Sequence, residues 1–96
     1  MLTGKQKQYL KSLAVQLPAY VQIGKEGITE SVIDSVEDVL LARELVKVKI
    51  HQNSDENIRA TAELLASRFD CEIVQIIGRN CVLFKQKEKK SHYELP

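Results

Sequence analysis

The sequence has few cysteines, few aromatic residues and no long apolar run, and these shortages exclude whole classes of protein. The 96 residues include two cysteines, Cys71 and Cys81, too few for the disulfide framework of a small secreted domain. The longest apolar runs, 39–42 and 81–84, have four residues each. A membrane span needs about 18 such residues and a signal-peptide core about 7 to 15. We therefore expect a protein of the reducing cytoplasm.

The chain has the length and composition of one small globular domain. Its 96 residues are fewer than the roughly 150 typical of one domain, so we expect a single domain without a second, catalytic one. The hydrophobic share of 44% and the charged share of 28% are close to globular averages and exclude disorder throughout. We assign residues 1–86 to the domain and the basic residues 87–96, where the apolar pattern ends, to a flexible tail.

The formal net charge of +1 conceals a segregation of charge along the chain. Residues 1–25 carry +4, residues 26–72 carry −6 and residues 73–96 carry +3. Salt screens a surface charge within about 8 to 10 Å, so a partner responds to the local patch more than to the total. If the fold brings both termini and the loop at Lys25 to one side, that side is cationic.

Apolar spacing and capping residues predict three helices. Thr3 and Gln6 have the spacing of a capping box and begin a helix over about residues 4–16. Thr29 offers the N-cap of a second helix, and Ser54 offers the cap of a third. The third helix has an apolar stripe at helical spacing, formed by Ile58, Ala62, Leu65, Ala66 and Phe69.

Four short segments are predicted to be strands, namely 20–23, 45–50, 71–77 and 81–85. The order α-β-α-β-α-β-β predicts an α/β (α+β) domain with a four-stranded mixed sheet. The first two strands should be parallel, joined by a right-handed crossover. The third has apolar residues on both faces, which favours a central position. A turn at Gly78-Arg79 would pair Cys81 with Ile76, so the two cysteines should not face each other.

The bend between the first strand and the second helix carries the most distinctive chemistry. It reads Gly24-Lys25-Glu26-Gly27, here called the GxxG loop. Two glycines permit positive φ and close approach of a ligand, while free N–H groups beside a helix N-terminus favour an anion. Lys25 adds a mobile cation, and a phosphodiester suits such a site. On spacing alone, a plain turn remains an alternative, and the Glu26 charge would repel phosphate.

Four segments occur in the order of one known family. They are TGKQKQYLKSLA (3–14), the strand with GKEG and ITE (up to 30), ELVKVKI (44–50) and VQIIGRNCVLFK (74–85). Over residues 2–86 the chain thus resembles the CRM domain in its bacterial stand-alone YhbY-like form. The resemblance implies an RNA-binding domain, similar in fold to the C-terminal domain of bacterial translation initiation factor three. It also implies an association with large-subunit ribosome precursors.

The resemblance further implies which residues contact RNA. The family's GxxG loop maps onto Gly24, Lys25, Glu26 and Gly27, and its basic surface would include Lys5, Lys7, Lys47, Lys49, Arg79 and Lys85. The expected partner is ribosomal RNA of the large-subunit precursor, with no cofactor, metal or membrane and with a monomer favoured. Because the chain offers little aromatic surface for base stacking, we expect recognition of RNA shape and backbone more than of base identity.

Each cationic feature also has a simpler interpretation. Lys47 and Lys49 are also explained as the solvated face of a strand. If that strand is at the edge of the sheet, they are explained as gatekeepers, which are charged residues that prevent pairing with another chain. Arg79 is also explained as a polar hairpin tip, and the tail lysines Lys85, Lys87, Lys89 and Lys90 as a solubilising end. A different function, a protein-interaction adaptor, would use the acidic surface of the second and third helices, formed by Glu30, Asp34, Glu37, Asp38 and Glu63.

Motifs of the common enzyme classes are absent from the sequence. There is no P-loop, nucleophile elbow or HExxH. His51 and His92 lack partners at zinc spacing and are interpreted as surface histidines. The acidic residues around Asp34 are close enough for weak metal binding, although a solvated helix face is the more usual explanation. We therefore predict that the protein is not an enzyme.

Overall fold

The computed structural model describes residues 2–88, 91 and 93–96 and confirms the predicted order of elements. They are α1 (Gly4–Ala14), β1 (Val21–Ile23), α2 (Glu30–Arg43), β2 (Leu45–Ile50), α3 (Ile58–Phe69), β3 (Glu72–Ile77) and β4 (Asn80–Phe84). The four-stranded sheet has the order β1-β2-β4-β3. As predicted, β1 and β2 are parallel, and the other pairs are antiparallel, so the mixed α+β fold is confirmed. The predictions for Lys89, Lys90 and His92 lie outside the described residues.

Side-chain caps determine where α1 and α3 begin. Thr3 Oγ1 accepts a hydrogen bond from Gln6 N at 3.1 Å, and Gln6 Oε1 accepts one from Thr3 N at 3.0 Å, which confirms the capping box. The predicted Ser54 cap is wrong. Asn57 caps α3, with its Oδ1 accepting from Ala60 N at 2.9 Å, while the buried Ser54 belongs to the preceding turn. Both residues are good N-caps by type, and tertiary packing decided between them.

The sheet separates two apolar layers. On one face, α2 and α3 cover the main core, which includes Val36, Leu40, Val46, Val48, Ala62, Leu65, Cys81 and Leu83. On the other face, α1 covers a smaller cluster formed by Leu10, Ala14, Leu45, Val74, Val82 and Phe84. The rest of the α1 face is open to solvent, because Gln22, Lys49 and Ile77 are all exposed there.

The predicted central position of β3 is wrong, because β3 is an edge strand. It is apolar on both faces for another reason, namely that each face is covered by a different helix. Ile73 and Ile76 pack into the core beneath α2 and α3, and Val74 packs with α1. A register shift between Ile73 and Gln75 accommodates this arrangement. The predicted pairing of Cys81 with Ile76 is confirmed.

The C-terminal segment contacts the domain. The Tyr93 ring meets Phe84 edge-on, with 5.5 Å between ring centroids. Leu95 packs against the same cluster beneath α1. Tyr93 and Leu95 therefore pack against the domain, although the sequence pattern assigned residues 87–96 to a flexible tail. Two apolar residues in a short polar stretch are too weak a pattern to predict docking. None of the described helices has the length and apolar character that spanning a bilayer requires.

Candidate nucleic-acid interface

The GxxG loop is a tight turn that follows the last residue of β1. Gly27 N donates to Gly24 O at 3.0 Å, and Gly27 has a φ of 75°, in the region that favours glycine. Gly24 has ordinary backbone geometry, and a methyl group added there would meet nothing within 4 Å. Lys25 and Glu26 are exposed at the tip. The first glycine thus leaves open space, whereas the second provides the turn.

The Glu56 carboxylate lies against the loop. Its Oε2 accepts a hydrogen bond from Ile28 N at 3.2 Å, and a Cβ added to Gly27 would overlap this oxygen. The N–H groups of Gly27 and Ile28 are therefore used within the chain, which corrects the expectation of a fully free anion cradle. The Glu56 carboxylate therefore occupies part of the position that was predicted for a phosphate. Glu56 is distant in sequence and lies in a polar connection, so no local pattern indicated this contact.

Three backbone segments meet beside the GxxG loop. His51 N donates to Ile23 O at 2.8 Å, which joins the end of β2 to the end of β1. Ile50 N donates to Arg79 O at 2.8 Å, and Arg79 Nη1 donates to His51 O at 3.2 Å. These bonds hold the turn between β3 and β4 against the same end of the sheet. We call this end, with Lys25, Lys49 and Arg79, the loop end.

A row of polar side chains crosses the open sheet face at the loop end. The register places Gln22 beside Lys49, and Lys49 beside Asn80. His51 Nε2 lies 2.6 Å from Gln22 Oε1. The Gln22 amide nitrogen donates to Ala19 O at 3.4 Å, which orients its oxygen toward the imidazole. His51 therefore donates from Nε2. Sequence reasoning missed these roles, although continuing the alternation of Lys47 and Lys49 by two residues reaches His51.

Lys5 and Lys7 of α1 lie at the opposite end of the sheet from the GxxG loop. Leu2 N donates to Glu72 Oε1 at 2.8 Å, which fixes the start of α1 beside the first residue of β3. Lys5 and Lys7 occupy the first turns of this helix. The strands have up to six residues each, so the two ends are separated by roughly 20 Å. The fold does not bring the N-terminal lysines and Lys25 to one side.

Two further lysines donate to carbonyl groups at helix C-termini. Lys47 Nζ donates to Ala14 O at 3.4 Å and to Leu17 O at 3.3 Å, at the end of α1. Lys85 Nζ donates to Phe69 O at 2.7 Å, at the end of α3. A cation at this position stabilises a helix because it offsets the negative end of the helix dipole. Lys47 is also not an edge-strand gatekeeper, because β2 lies inside the sheet.

The acidic residues of α2 and α3 lie on the other side of the sheet from the open face. Glu30, Asp34, Glu37, Asp38 and Glu63 are all exposed on these helices. Within the described part of the chain, no group of three or more His, Cys, Asp or Glu side chains is placed to hold a metal ion. The molecule therefore has a helical layer with five exposed acids, here called the acidic layer, and a separate loop end where Glu26 and Glu56 partly offset Lys25, Lys49 and Arg79.

Comparisons with known proteins agree on one family. The family model described as the CRS1 / YhbY (CRM) domain matches residues 2–85. The "Probable RNA-binding protein YqeI" of Bacillus subtilis is 41% identical over 96 residues, which is 100% of both chains. An "RNA-binding protein" of Haemophilus influenzae is 35% identical over 88 residues, covering 92% of this chain and 89% of its own.

A solved structure shares the whole architecture. The solution structure of the Staphylococcus aureus hypothetical protein SAV1595 superposes with a TM-score of 0.82. The sequence identity is 43%, and the match covers 100% of both chains. At this identity and coverage, the likeness extends to the complete arrangement of helices and strands described above.

Proposed function

Because the chain belongs to the CRS1/YhbY (CRM) domain family, we propose that it binds RNA through the loop end of its sheet, without a catalytic step of its own. The observation that carries this proposal is the junction at His51. There, backbone hydrogen bonds join β1, β2 and the turn at Arg79 beside the GxxG loop. Relatives named as RNA-binding proteins support RNA as the class of partner.

Three cations at the loop end suit a ribose-phosphate chain. Lys25 is exposed at the loop tip, Lys49 is exposed on the sheet, and Arg79 is exposed on the neighbouring turn. Arg79 uses one N–H group on His51 O, and its guanidinium retains further donors for phosphate oxygens. The open space around Gly24 lets an RNA backbone approach the loop closely. Glu56 lies against the loop and lowers its phosphate affinity, so the lysines and Arg79 supply the attraction.

The RNA that we propose is ribosomal RNA of the large-subunit precursor, bound by one copy of the chain in the cytoplasm during subunit assembly. This finer assignment rests on the likeness to stand-alone bacterial CRM proteins. It predicts that the tagged protein sediments with immature large subunits in a sucrose gradient. Tagged protein found only at the top of the gradient would contradict this assignment and leave general RNA binding to be tested separately.

Salt-dependent binding tests the RNA-binding proposal itself. If Lys25, Lys49 and Arg79 each neutralise one phosphate, log K falls with log salt at a slope of about −2 to −3. The double variant Lys25→Ala/Lys49→Ala should weaken filter binding to ribosomal RNA and reduce the slope by about 2. The double variant Arg59→Ala/Arg68→Ala removes two exposed cations on α3 and serves as the charge-matched control. For an adaptor that uses the acidic layer, neither the salt concentration nor the Lys25→Ala/Lys49→Ala variant should change the binding of ribosomal RNA. That result would contradict the proposal.

A further inference from the structure

A notch opens on the sheet face between the C-terminal end of α1 and β3. Its volume is about 250 Å³, and it is lined by Ala14, Val15, Lys47, Gln75, Ile77 and Val82. Val82 is buried and forms the floor, whereas Val15 and Ile77 are 76% and 59% exposed at the rim. The register places Ile77 beside Asn80, so the notch continues directly from the polar row at the loop end.

The size and lining of the notch fit one small ring. Single exposed apolar residues are common on protein surfaces, but Val15 and Ile77 border the same depression. A volume of about 250 Å³ is well above the ~30 Å³ of a water molecule and just below the ~300 to 1,000 Å³ of sites for whole small molecules. The notch therefore has room for one ring-sized group with an apolar face.

Charge determines which part of a nucleotide enters the notch. The C-terminal end of α1 carries partial negative charge, which Lys47 offsets by donating to Ala14 O and Leu17 O. A phosphate gains little electrostatic free energy at this position, because Lys47 and the helix dipole offset each other. A neutral base carries no net charge, so the dipole does not oppose its binding. Lys49 follows Lys47 by two residues along β2 and lies on the same face of the sheet, so their Cα atoms are about 6.6 Å apart. This spacing is on the order of the distance between a base and its phosphate.

We propose that this notch binds one unstacked nucleobase of an RNA whose phosphates lie on Lys49 and Arg79. The inference rests on the proposed function and adds a base-contacting site to it. Val15 and Ile77 contact the faces of the base, as apolar side chains do for bases turned out of a stack. The half-buried Gln75 amide offers both a donor and an acceptor to the base edge. Aliphatic side chains thus take the place of the aromatic platform that this chain lacks here.

The test compares RNA with and without bases. One probe is an oligoadenylate of about 12 nucleotides, and the other is an abasic ribose-phosphate chain of equal length. Ile77→Thr should weaken binding of oligoadenylate about 3- to 10-fold, leave the abasic chain unaffected and keep the salt slope. Gln75→Met should have the same selective effect and serves as a second variant if the first folds poorly. Lys49→Ala should instead weaken both probes and reduce the slope by about 1.

A matched control and three outcomes decide the inference. Leu41→Gln changes an apolar residue that is 65% exposed on α2 and should alter neither affinity. Equal loss on both probes, or no loss in folded Ile77→Thr and Gln75→Met, overturns the base site and leaves the proposed function standing. Wild-type protein that binds neither probe nor ribosomal RNA overturns both. If Ile77→Thr abolishes self-association in sedimentation but leaves RNA affinity unchanged, the notch is a protein contact and the inference fails.

Discussion

At the scale of single residues, the two glycines of the GxxG loop have different physical reasons to be glycine. Gly27 has a φ of 75°, and its Cα lies against the Glu56 carboxylate. Gly24 faces open space with ordinary geometry. The motif looks symmetrical in sequence, but only its second glycine is required by the fold. The first is free to serve a ligand.

Substitutions at the two positions should therefore separate stability from binding. Gly27→Val should lower the free energy of unfolding by about 1 to 3 kcal/mol, because a β-branched residue is strained at positive φ and displaces Glu56 from Ile28 N. Gly24→Val should leave the unfolding midpoint unchanged and weaken RNA binding, because its side chain occupies the approach to the loop. Urea titration and filter binding check both. Equal stability loss at the two positions would contradict this distinction.

The two cysteines are buried without a disulfide, and burial changes their acidity. Removal from water raises the pKa of the Cys71 thiol to about 11 and that of the Cys81 thiol to about 12. Both are free thiols. Because the native state retains these protons more strongly than the unfolded state, their contribution to stability is complete below the unfolded pKa of 9.0 and is lost as pH rises toward 11 to 12.

Alkylation should reveal this protection. At about pH 8.5, iodoacetamide should modify neither thiol in the folded protein, because the thiolate is the reactive form and is scarce at these pKa values. Both thiols should react within the same time in denaturant. Mass spectrometry counts the modified cysteines. Rapid modification of Cys81 without denaturant would show that this part of the core opens far more readily than its burial implies.

At the scale of elements, local patterns predicted what each segment is, and long-range packing decided where it lies. The alternation of Val46, Val48 and Ile50 was sufficient to predict β2, because strand periodicity is encoded locally. The edge position of β3 was not predictable, because its second apolar face is buried by α1, which comes from the far end of the sequence. The Lys47 contact with α1 depends on the same long-range packing.

The C-terminal segment is a further case in which packing overrides a weak pattern. Tyr93 and Leu95 are half-buried against the α1 cluster, and Ser91 Oγ donates to the buried Glu44 carboxylate at 2.6 Å. Glu44 ends α2 with a φ of 68°, so this contact also secures a strained residue. The segment stabilises the domain by covering apolar surface and by hydrogen bonding to a buried charge.

Truncation tests this role. Deleting residues 91–96 should cost about 2 kcal/mol, because two apolar side chains and the Ser91 hydrogen bond are lost. For a domain of this size, Tm should fall by about 8 to 16 °C. Glu94→Ala changes an exposed residue of the same segment and is the control. An unchanged Tm after truncation would mean that the contacts of Tyr93 and Leu95 add nothing to stability.

At the scale of the whole molecule, charge is divided between surfaces in a way that the net value hides. The acidic residues of α2 and α3 form one layer, whereas Lys25, Lys49 and Arg79 lie at the loop end of the sheet, with Lys49 on the open face. Lys5 and Lys7 are roughly 20 Å from the loop end, so an RNA that contacts both groups must extend along the sheet. The sequence segregates its charges, but only the strand order shows which of them come together.

The most direct test of the loop-end interface is a titration with RNA monitored through backbone amide resonances. On adding an oligoadenylate of about 12 nucleotides, the amides of Lys25, Lys49 and Arg79 should shift together with one apparent Kd. Those of Glu37 and Glu63, on the acidic layer, should remain in place. Shifts concentrated on α2 and α3, with the loop end unperturbed, would contradict the interface proposed for this protein.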